Sequence, residues 1–343
     1  MKEIGAIYMV TLKDVALRCG VSVASVSKAL NNMPDISPGT AKRIRDMAKE
    51  LGYYPNAAAR ALKTSRSKTI GILFFLRGVI VWSHAYFSKI ISSIQVQAER
   101  SGYDITIINC DGVSIMGSYL AYCKYRNYDG VIVMSASFLE PTLIELVNSD
   151  IPVVTIDYLF NHRSAVISDN VQGMRDLVHF IFNRGHRRIA YIHGDDTMVT
   201  RNRLASFYRT CEELGVEVPP EYVRAAQYHD PESSALATRD LLTLRKRPTC
   251  ILFPDDYSYI GGMNELERQG LSIPDDMSVA GYDGIYLTQV LHPKLTTLEQ
   301  DTEGIGTQVV KMLLKAIEKP KSFIPKHVTL PGVVCAGESV KVI

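Results

Sequence analysis

The sequence predicts an all-α helix-turn-helix head joined to an α/β body of two doubly wound parallel-sheet lobes. Three observations carry that expectation. Three short capped helices fit within the first 52 residues, strand and helix patterns alternate from Thr69 onward, and basic charge is concentrated in the head.

The head is taken first. Thr11 caps a first helix, with Asp14 three positions on as a near capping box. Ala16 is small where two helices must cross closely, and Cys19-Gly20-Val21 supplies a turn in which Gly20 tolerates a left-handed backbone. Ser22 caps a second helix to about Leu30, whose Val26, Ala29 and Leu30 face inward at helical spacing. Ser37-Pro38 opens a third, with Ile44, Met47, Ala48 and Leu51 as its buried stripe and Gly52 as its end. One exposed helix on a small capped core is a recognition device for a DNA major groove rather than a catalytic one.

Composition agrees. The 343 residues suggest two or three domains, and 46% hydrophobic against 22% charged residues leaves ample material for packed cores. From Met9 to Arg66 ten Lys and Arg face four acids, a net +6, so the rest of the chain holds −4 of the overall +2. A basic head on a mildly acidic body implies that the head meets a polyanion. The six cysteines, Cys19, Cys110, Cys123, Cys211, Cys250 and Cys335, form no CxxC pair, and reduced buried thiols are expected rather than disulfides or a metal site. No run of 18 apolar residues is present, so no membrane partner is expected, and MKEIGAIY is too short and polar for a signal peptide. Met9, directly before the first cap, is the expected natural start.

The residues from Leu12 to Asn31 (L-K-D-V-A-x-x-C-G-V-S-x-A-S-V-S-K-A-L-N), then I-S-P-G-T, then L-G-Y-Y-P-N from Leu51 to Asn56 carry a specific pattern. On these the chain resembles the lactose-repressor (LacI/GalR) family of bacterial transcription regulators. The resemblance implies that the second helix enters the major groove and reads base edges with its first residues, here Val23 and Ala24, flanked by Ser22, Ser25 and Lys28. Val23 and Ala24 offer only apolar contact, for example to a thymine methyl, so polar readout rests on Ser22, Ser25, Lys28 or Asn31. The bland alternative for Val23 and Ala24 is core packing. Thr11 belongs to the same DNA-facing set, while Lys13, Lys42, Arg43 and Arg45 are expected as phosphate contacts or solvated charges.

Asn56 to Lys63 is alanine-rich and well capped, yet eight residues are too few to hold a helix alone. The resemblance implies that two such hinge helices pair over the minor groove, with Asn56, Ala59, Leu62 and Lys63 at the DNA and Leu62 wedged between base steps. A helical linker with Leu62 on its own domain is the alternative.

From Thr69 the periodicity alternates. TIGILFFL, YDITIINC, DGVIVM, PVVTID, RRIAYIHG, TCILFP and MSVAGYD read as strands. Phe87 to Arg100, Ser114 to Arg126, Pro141 to Asn148, DNVQGMRDLVHFIFNRG, Arg201 to Leu214, PESSALATRDLL and Tyr257 to Gln269 read as helices. Alternation over about 270 residues means two domains with parallel sheets covered on both faces. The body looks like the periplasmic-binding-protein-like core of the same family, which implies three crossings between lobes near Ser168, Leu298 and Leu330. The expected divisions are a disordered extension at 1–8, the helix-turn-helix domain at 9–55, the hinge at 56–67, a first lobe at 68–168 with 299–329, and a second lobe at 169–298 with 330–343.

Ligands of such folds bind beyond the carboxyl ends of the strands. Tyr86 and Phe87 match the family's aromatic positions in His84-Ala85-Tyr86-Phe87. Asp157 ends its strand, and Arg203 matches the effector-binding arginine, although Ser206 replaces the usual glycine. His229 falls where relatives place a stacking aromatic, Asp255 stands where Asn is common, and Asp283 is the acid of GYD. Carboxylates and an arginine amid aromatic faces suit a sugar as effector. Asp at 255 disfavours an anionic effector unless it sits against Arg203. Plainer alternatives are a cap on the following turn for Asp157 and Asp283, a surface ion pair for Arg203, and an ordinary loop histidine for His229.

No GxSxG, P-loop, GxGxxG or HExxH occurs, so neither an enzyme nor a cofactor is expected. The expectation is therefore a dimeric, cytoplasmic, ligand-responsive DNA-binding regulator, a repressor of a pseudo-palindromic operator. A sugar-binding transport receptor and an enzyme on a doubly wound fold are the rival classes. The basic head argues against the first, and the missing nucleophile or metal cluster against the second.

Overall fold

The computed structural model describes residues 10–54, 61, 64, 66–74, 81–108 and 110–343. The chain divides between Ser67 and Lys68 into two compact units. The expected extension at 1–8, the expected start at Met9 and the hinge residues Asn56, Ala59, Leu62 and Lys63 lie outside the described residues.

The head holds α1 (Leu12–Cys19), α2 (Val23–Leu30) and α3 (Pro38–Glu50). Asp14 accepts the Thr11 N–H at 2.8 Å and its hydroxyl at 2.7 Å, satisfying a donor that the first turn leaves open. Gly20 ends α1 at φ 61°, a conformation costly for a residue with a Cβ. Ser22 and Ser37 cap α2 and α3 by accepting the N–H of Ser25 and Thr40. Val15, Ala16, Cys19, Val26, Ala29, Ala41, Ile44 and Ala48 form the core, and Leu30, Met47 and Leu51 pack at its margin.

Two of the head's cations have partners within it. Arg43 donates to the Cys19 carbonyl at 3.3 Å, and Arg45 to the Ala29 carbonyl at 3.2 Å and Asn32 Oδ1 at 3.0 Å. They tie off carbonyls at the ends of α1 and α2, where cations also suit the helix dipole, so they are not merely solvated charges.

The body has two six-stranded sheets. The first contains β1 (Thr69–Phe74), β2 (Asp104–Ile107), β3 (Gly130–Ser135), β4 (Val153–Ile156), β5 (Ser164–Ser168) and, from far along the chain, His327–Leu330. The second contains β6 (Ile189–His193), β7 (Val223–Ala225), β8 (Cys250–Leu252), β9 (Ser278–Asp283), β10 (Thr296–Glu299) and Val333–Cys335. Taking the two late strands as β11 and β12, the spatial orders are β11-β5-β4-β3-β1-β2 and β12-β10-β9-β8-β6-β7. The pairs are parallel except β12, which runs antiparallel to β10 with Leu298 opposite Val334. β12 follows β11 after only Pro331-Gly332, too few residues for a parallel crossover, so it enters the second sheet reversed.

The helices α4 (Ala85–Arg100), α5 (Cys110–Met116), α6 (Tyr119–Tyr125) and α7 (Pro141–Val147) belong to the first lobe. The second lobe carries α8 (Asn170–Asn183), α9 (Met198–Glu213), α10 (Pro231–Thr243), α11 (Asp256–Arg268) and α12 (Tyr286–Val290). The long α13 (Thr302–Glu318) returns to the first, burying Ile305, Val309, Met312 and Leu313 with Ile90, Ile91 and Ile94 of α4. The chain thus passes between sheets after Ser168, after Glu299 and after Leu330. The single helix expected from Ser114 to Arg126 is two. Gly117 turns the backbone at φ 83°, and Ser118 caps the second piece by accepting the Ala121 N–H at 3.2 Å.

Candidate functional site

On the head, α2 presents an apolar tip. Val23 is 41% exposed and Ala24 is exposed, so core packing does not account for them. The polar groups around that tip are engaged within the head. The Ser22 and Ser25 hydroxyls lie 2.9 Å apart, Asn31 Nδ2 donates to the Ser27 carbonyl at 2.7 Å, Lys28 pairs with Asp35, and Thr11 serves its own cap. Sequence reasoning passed over Leu17, which is 83% exposed on α1, and it missed the Asp35 partner of Lys28.

In the body, strand ends of both lobes converge. Asp157 follows β4 and adopts φ 56°, a left-handed turn that short acidic side chains tolerate. Its Oδ1 accepts the Ser168 N–H at 2.8 Å, and its Oδ2 lies 3.5 Å from the Tyr86 hydroxyl at the start of α4. That hydroxyl is also 3.3 Å from Oε1 of Gln300, whose amide donates to Asp283 Oδ1 at 2.6 Å. One chain of polar contacts therefore links both lobes.

Arg203 of α9 lies at the second-lobe side, only 4% exposed. Its Nε donates to Asn170 Oδ1 at 2.7 Å and its Nη1 to the Pro254 carbonyl at 3.0 Å, while the guanidinium lies 3.4 Å over the Tyr282 ring. The surface ion-pair alternative for Arg203 is therefore out of keeping with its burial. A guanidinium cannot shed its charge, so it remains a buried cation. Burial pushes the carboxyl of Asp283 well above its usual range, with the nearby Asp255 adding to it, and burial raises Asp157 too.

The remaining expected residues are placed less uniformly. Asp255 caps α11, accepting the Ser258 N–H at 2.7 Å, the Ser258 hydroxyl at 2.8 Å and the His229 N–H at 2.9 Å, so its oxygens serve the fold. Phe87 turns toward the first-lobe core, edge-on to Phe74 at 4.9 Å. His229 is stacked between His84 of the first lobe at 4.2 Å and Tyr257 at 3.9 Å. Burial, then the facing His229, lowers His84 to about 3, and burial lowers His229 as well, so the stacked rings are neutral.

Sequence reasoning did not single out Asn170, Tyr257, Tyr282 or Gln300 for the site. The Tyr191 and Tyr282 hydroxyls and Nδ1 of His84 and His229 are buried without hydrogen-bond partners, which is costly unless a ligand supplies them. Neutral donors, carboxylates, one cation and ring faces in a cleft between lobes are the equipment for holding a small polyhydroxylated molecule. Among the described residues no cluster of His, Cys, Asp or Glu could hold a metal ion.

A capped helix-turn-helix joined to a two-lobed strand-end cleft defines a class: DNA-binding regulators with an attached ligand-binding body. Comparison with known proteins agrees. Residues 11–56 match the description "Bacterial regulatory proteins, lacI family" and residues 178–340 match "Periplasmic binding protein-like domain". The "Probable HTH-type transcriptional repressor ExuR" of Bacillus subtilis (strain 168) is 32% identical over 322 residues, 93% of this chain and 95% of that protein. Among solved structures, a lac repressor dimer bound to operator and the anti-inducer ONPF aligns with a TM-score of 0.82 at 23% identity, over 97% of this chain and 99% of that one. A transcriptional regulator CelR–cellobiose complex aligns at 0.72 and 24% identity, over 96% and 99%. The chain belongs to the lacI family of bacterial regulatory proteins. It is a DNA-binding transcriptional repressor built from a helix-turn-helix domain and a periplasmic-binding-protein-like body.

Proposed function

We propose that the chain acts in the cytoplasm as a homodimer, binds a pseudo-palindromic operator, and releases or grips it according to a sugar held between the lobes. The observation that carries the ligand reading is Arg203: a buried permanent cation on the second-lobe side of the cleft, bonded to Asn170 and the Pro254 carbonyl and lying over the Tyr282 ring. Hydroxyls of a sugar accept from such a guanidinium and donate to Asp157 and Asp283, while the His84-His229-Tyr257 stack, with both faces of His229 covered, forms a rigid aromatic wall across the lobes. Cellobiose in the CelR complex supports a carbohydrate as the ligand class. Two heads on one duplex match a site whose halves lie about one helical turn or a multiple apart.

The test begins with selection of duplexes from a random pool by the full chain. A dimer making about four phosphate contacts per protomer should then bind with a log–log salt slope near −7. A melting screen of sugars and nucleosides identifies the ligand, since one at about 100 times its dissociation constant adds roughly 2.7 kcal/mol. Failure to enrich any duplex counts against operator recognition; no stabilising ligand in the screen counts against the sugar.

A further inference from the structure

Lys28 is the one cation of α2, and the structure ties it down. Its ammonium forms an ion pair with the carboxylate of Asp35, in the loop between α2 and α3. The loop delivers that carboxylate from anchored ends. The Met33 N–H donates to the Lys28 carbonyl at 3.0 Å, Arg45 holds Asn32 Oδ1 at 3.0 Å, and Ser37 caps α3. The paired side chains are 50% and 53% exposed, so the pair sits in solvent at the foot of the presenting helix. The Lys28 hydrogen bond also holds the Asp35 carboxyl below its usual range, so it is an anion at neutral pH.

An acid here is unexpected on electrostatic grounds. The helix approaches a polyanion, and a carboxylate beside it is repelled by phosphates. As a stabiliser of the head the pair does little, because exposed ion pairs contribute little and are screened by salt. Its larger consequence concerns DNA. A lysine already neutralised by a carboxylate displaces no counterion from a phosphate, so it adds little to sequence-independent affinity. A guanine edge, with its O6 and N7 acceptors, is a directional alternative to the carboxylate. The Ser22, Ser25 and Asn31 side chains are engaged at the ends of α2 and its tip is apolar, so Lys28 is the flexible charged group left to discriminate.

We infer that Asp35 is a specificity-determining residue: it holds Lys28 away from generic phosphates and releases it where the base edges offer a better acceptor. This rests on the DNA-reading role of α2. Discrimination then comes from suppressing non-specific binding as much as from gaining operator contacts.

The test uses the full chain as wild type, Asp35→Asn, Lys28→Gln and the double variant. Each is titrated between 50 and 200 mM salt against a mixed-sequence 30-base-pair duplex and against a duplex selected by the wild type. Asp35→Asn should bind the mixed duplex up to about fivefold tighter. Its salt slope should steepen by about 0.9 for each engaged head, and its preference for the selected duplex should fall. In the Lys28→Gln background most of both changes should be lost. The inference is overturned if Asp35→Asn leaves mixed-duplex affinity and slope unchanged, or changes them equally with and without Lys28. A wild type that selects no duplex overturns the DNA reading itself, which is a separate result.

Discussion

Asp256 is a buried acid with three donors. Its oxygens accept the Thr297 hydroxyl at 2.6 Å, the Ile285 N–H at 2.9 Å and the Thr288 hydroxyl at 3.2 Å. It approaches β9 so closely that a Cβ on Gly281 would lie 2.2 Å from its Oδ1. Even with these partners, burial pushes the carboxyl up to about 7. The linkage has a definite sign. Between about pH 4 and 7 the folded chain keeps a proton that the unfolded chain has released. Stability from this group is therefore fullest below about pH 4, declines as pH rises to about 7, and is flat above. Asp256→Asn should show a flatter profile than wild type across that window in urea unfolding at pH 4.5 and 7.5. An identical pH slope in both proteins would contradict the assignment. No pattern in FPDD marks Asp256 as the structural acid and Asp255 as a cap. Both stand beyond a strand end, and the partners of Asp256 come from some 30 to 40 residues later, from Ile285 and Thr288 at the start of α12 and Thr297 of β10.

At the scale of elements, the head was legible because capping is local. Thr11-Asp14, Ser22 and Ser37-Pro38 each declare a helix start within four residues. The roles of Arg43 and Arg45 were not legible, since their carbonyl partners lie 24 and 16 residues away. This separates two kinds of arginine by experiment. Arg45→Met should lower the stability of the head by about 1 kcal/mol, from lost hydrogen bonds to the end of α2. It should leave the salt slope of operator binding unchanged, whereas loss of a phosphate contact would make that slope shallower by about 0.9 per head. The break at Gly117 escaped for a different reason: Ser114 to Arg126 keeps helical periodicity on both sides of it. α13 was not among the helices expected, and its burial against α4 is a contact across some 210 residues, as the Ser93–Glu303 hydrogen bond marks.

At the scale of the molecule, the cleft is bridged by contacts that no local pattern encodes. Tyr86 reaches Asp283 through Gln300, 214 residues away, Lys89 donates to the Gly284 carbonyl at 3.0 Å, and His84 stacks on His229. The strand-end acids and Arg203 could be placed from their patterns; the tyrosine ring beneath the guanidinium and the amides of Asn170 and Gln300 could not. The account requires that a ligand in this cleft biases the state of a head on a separate compact unit. To turn about 99:1 occupancy of one state into 1:99, the ligand must prefer one state by roughly 5.5 kcal/mol. Lysine at 203 keeps the charge but cannot reproduce the planar fork that spans Asn170 and the Pro254 carbonyl. The most direct measurement is an anisotropy titration of the selected operator with wild type and Arg203→Lys, each with and without the ligand found by melting. The account predicts that ligand changes wild-type operator affinity at least about tenfold, the low end of a usable coupling. Arg203→Lys should bind operator normally and lose most of that response at the same ligand concentration. A wild type that binds the ligand yet shows one operator affinity with and without it would contradict the account.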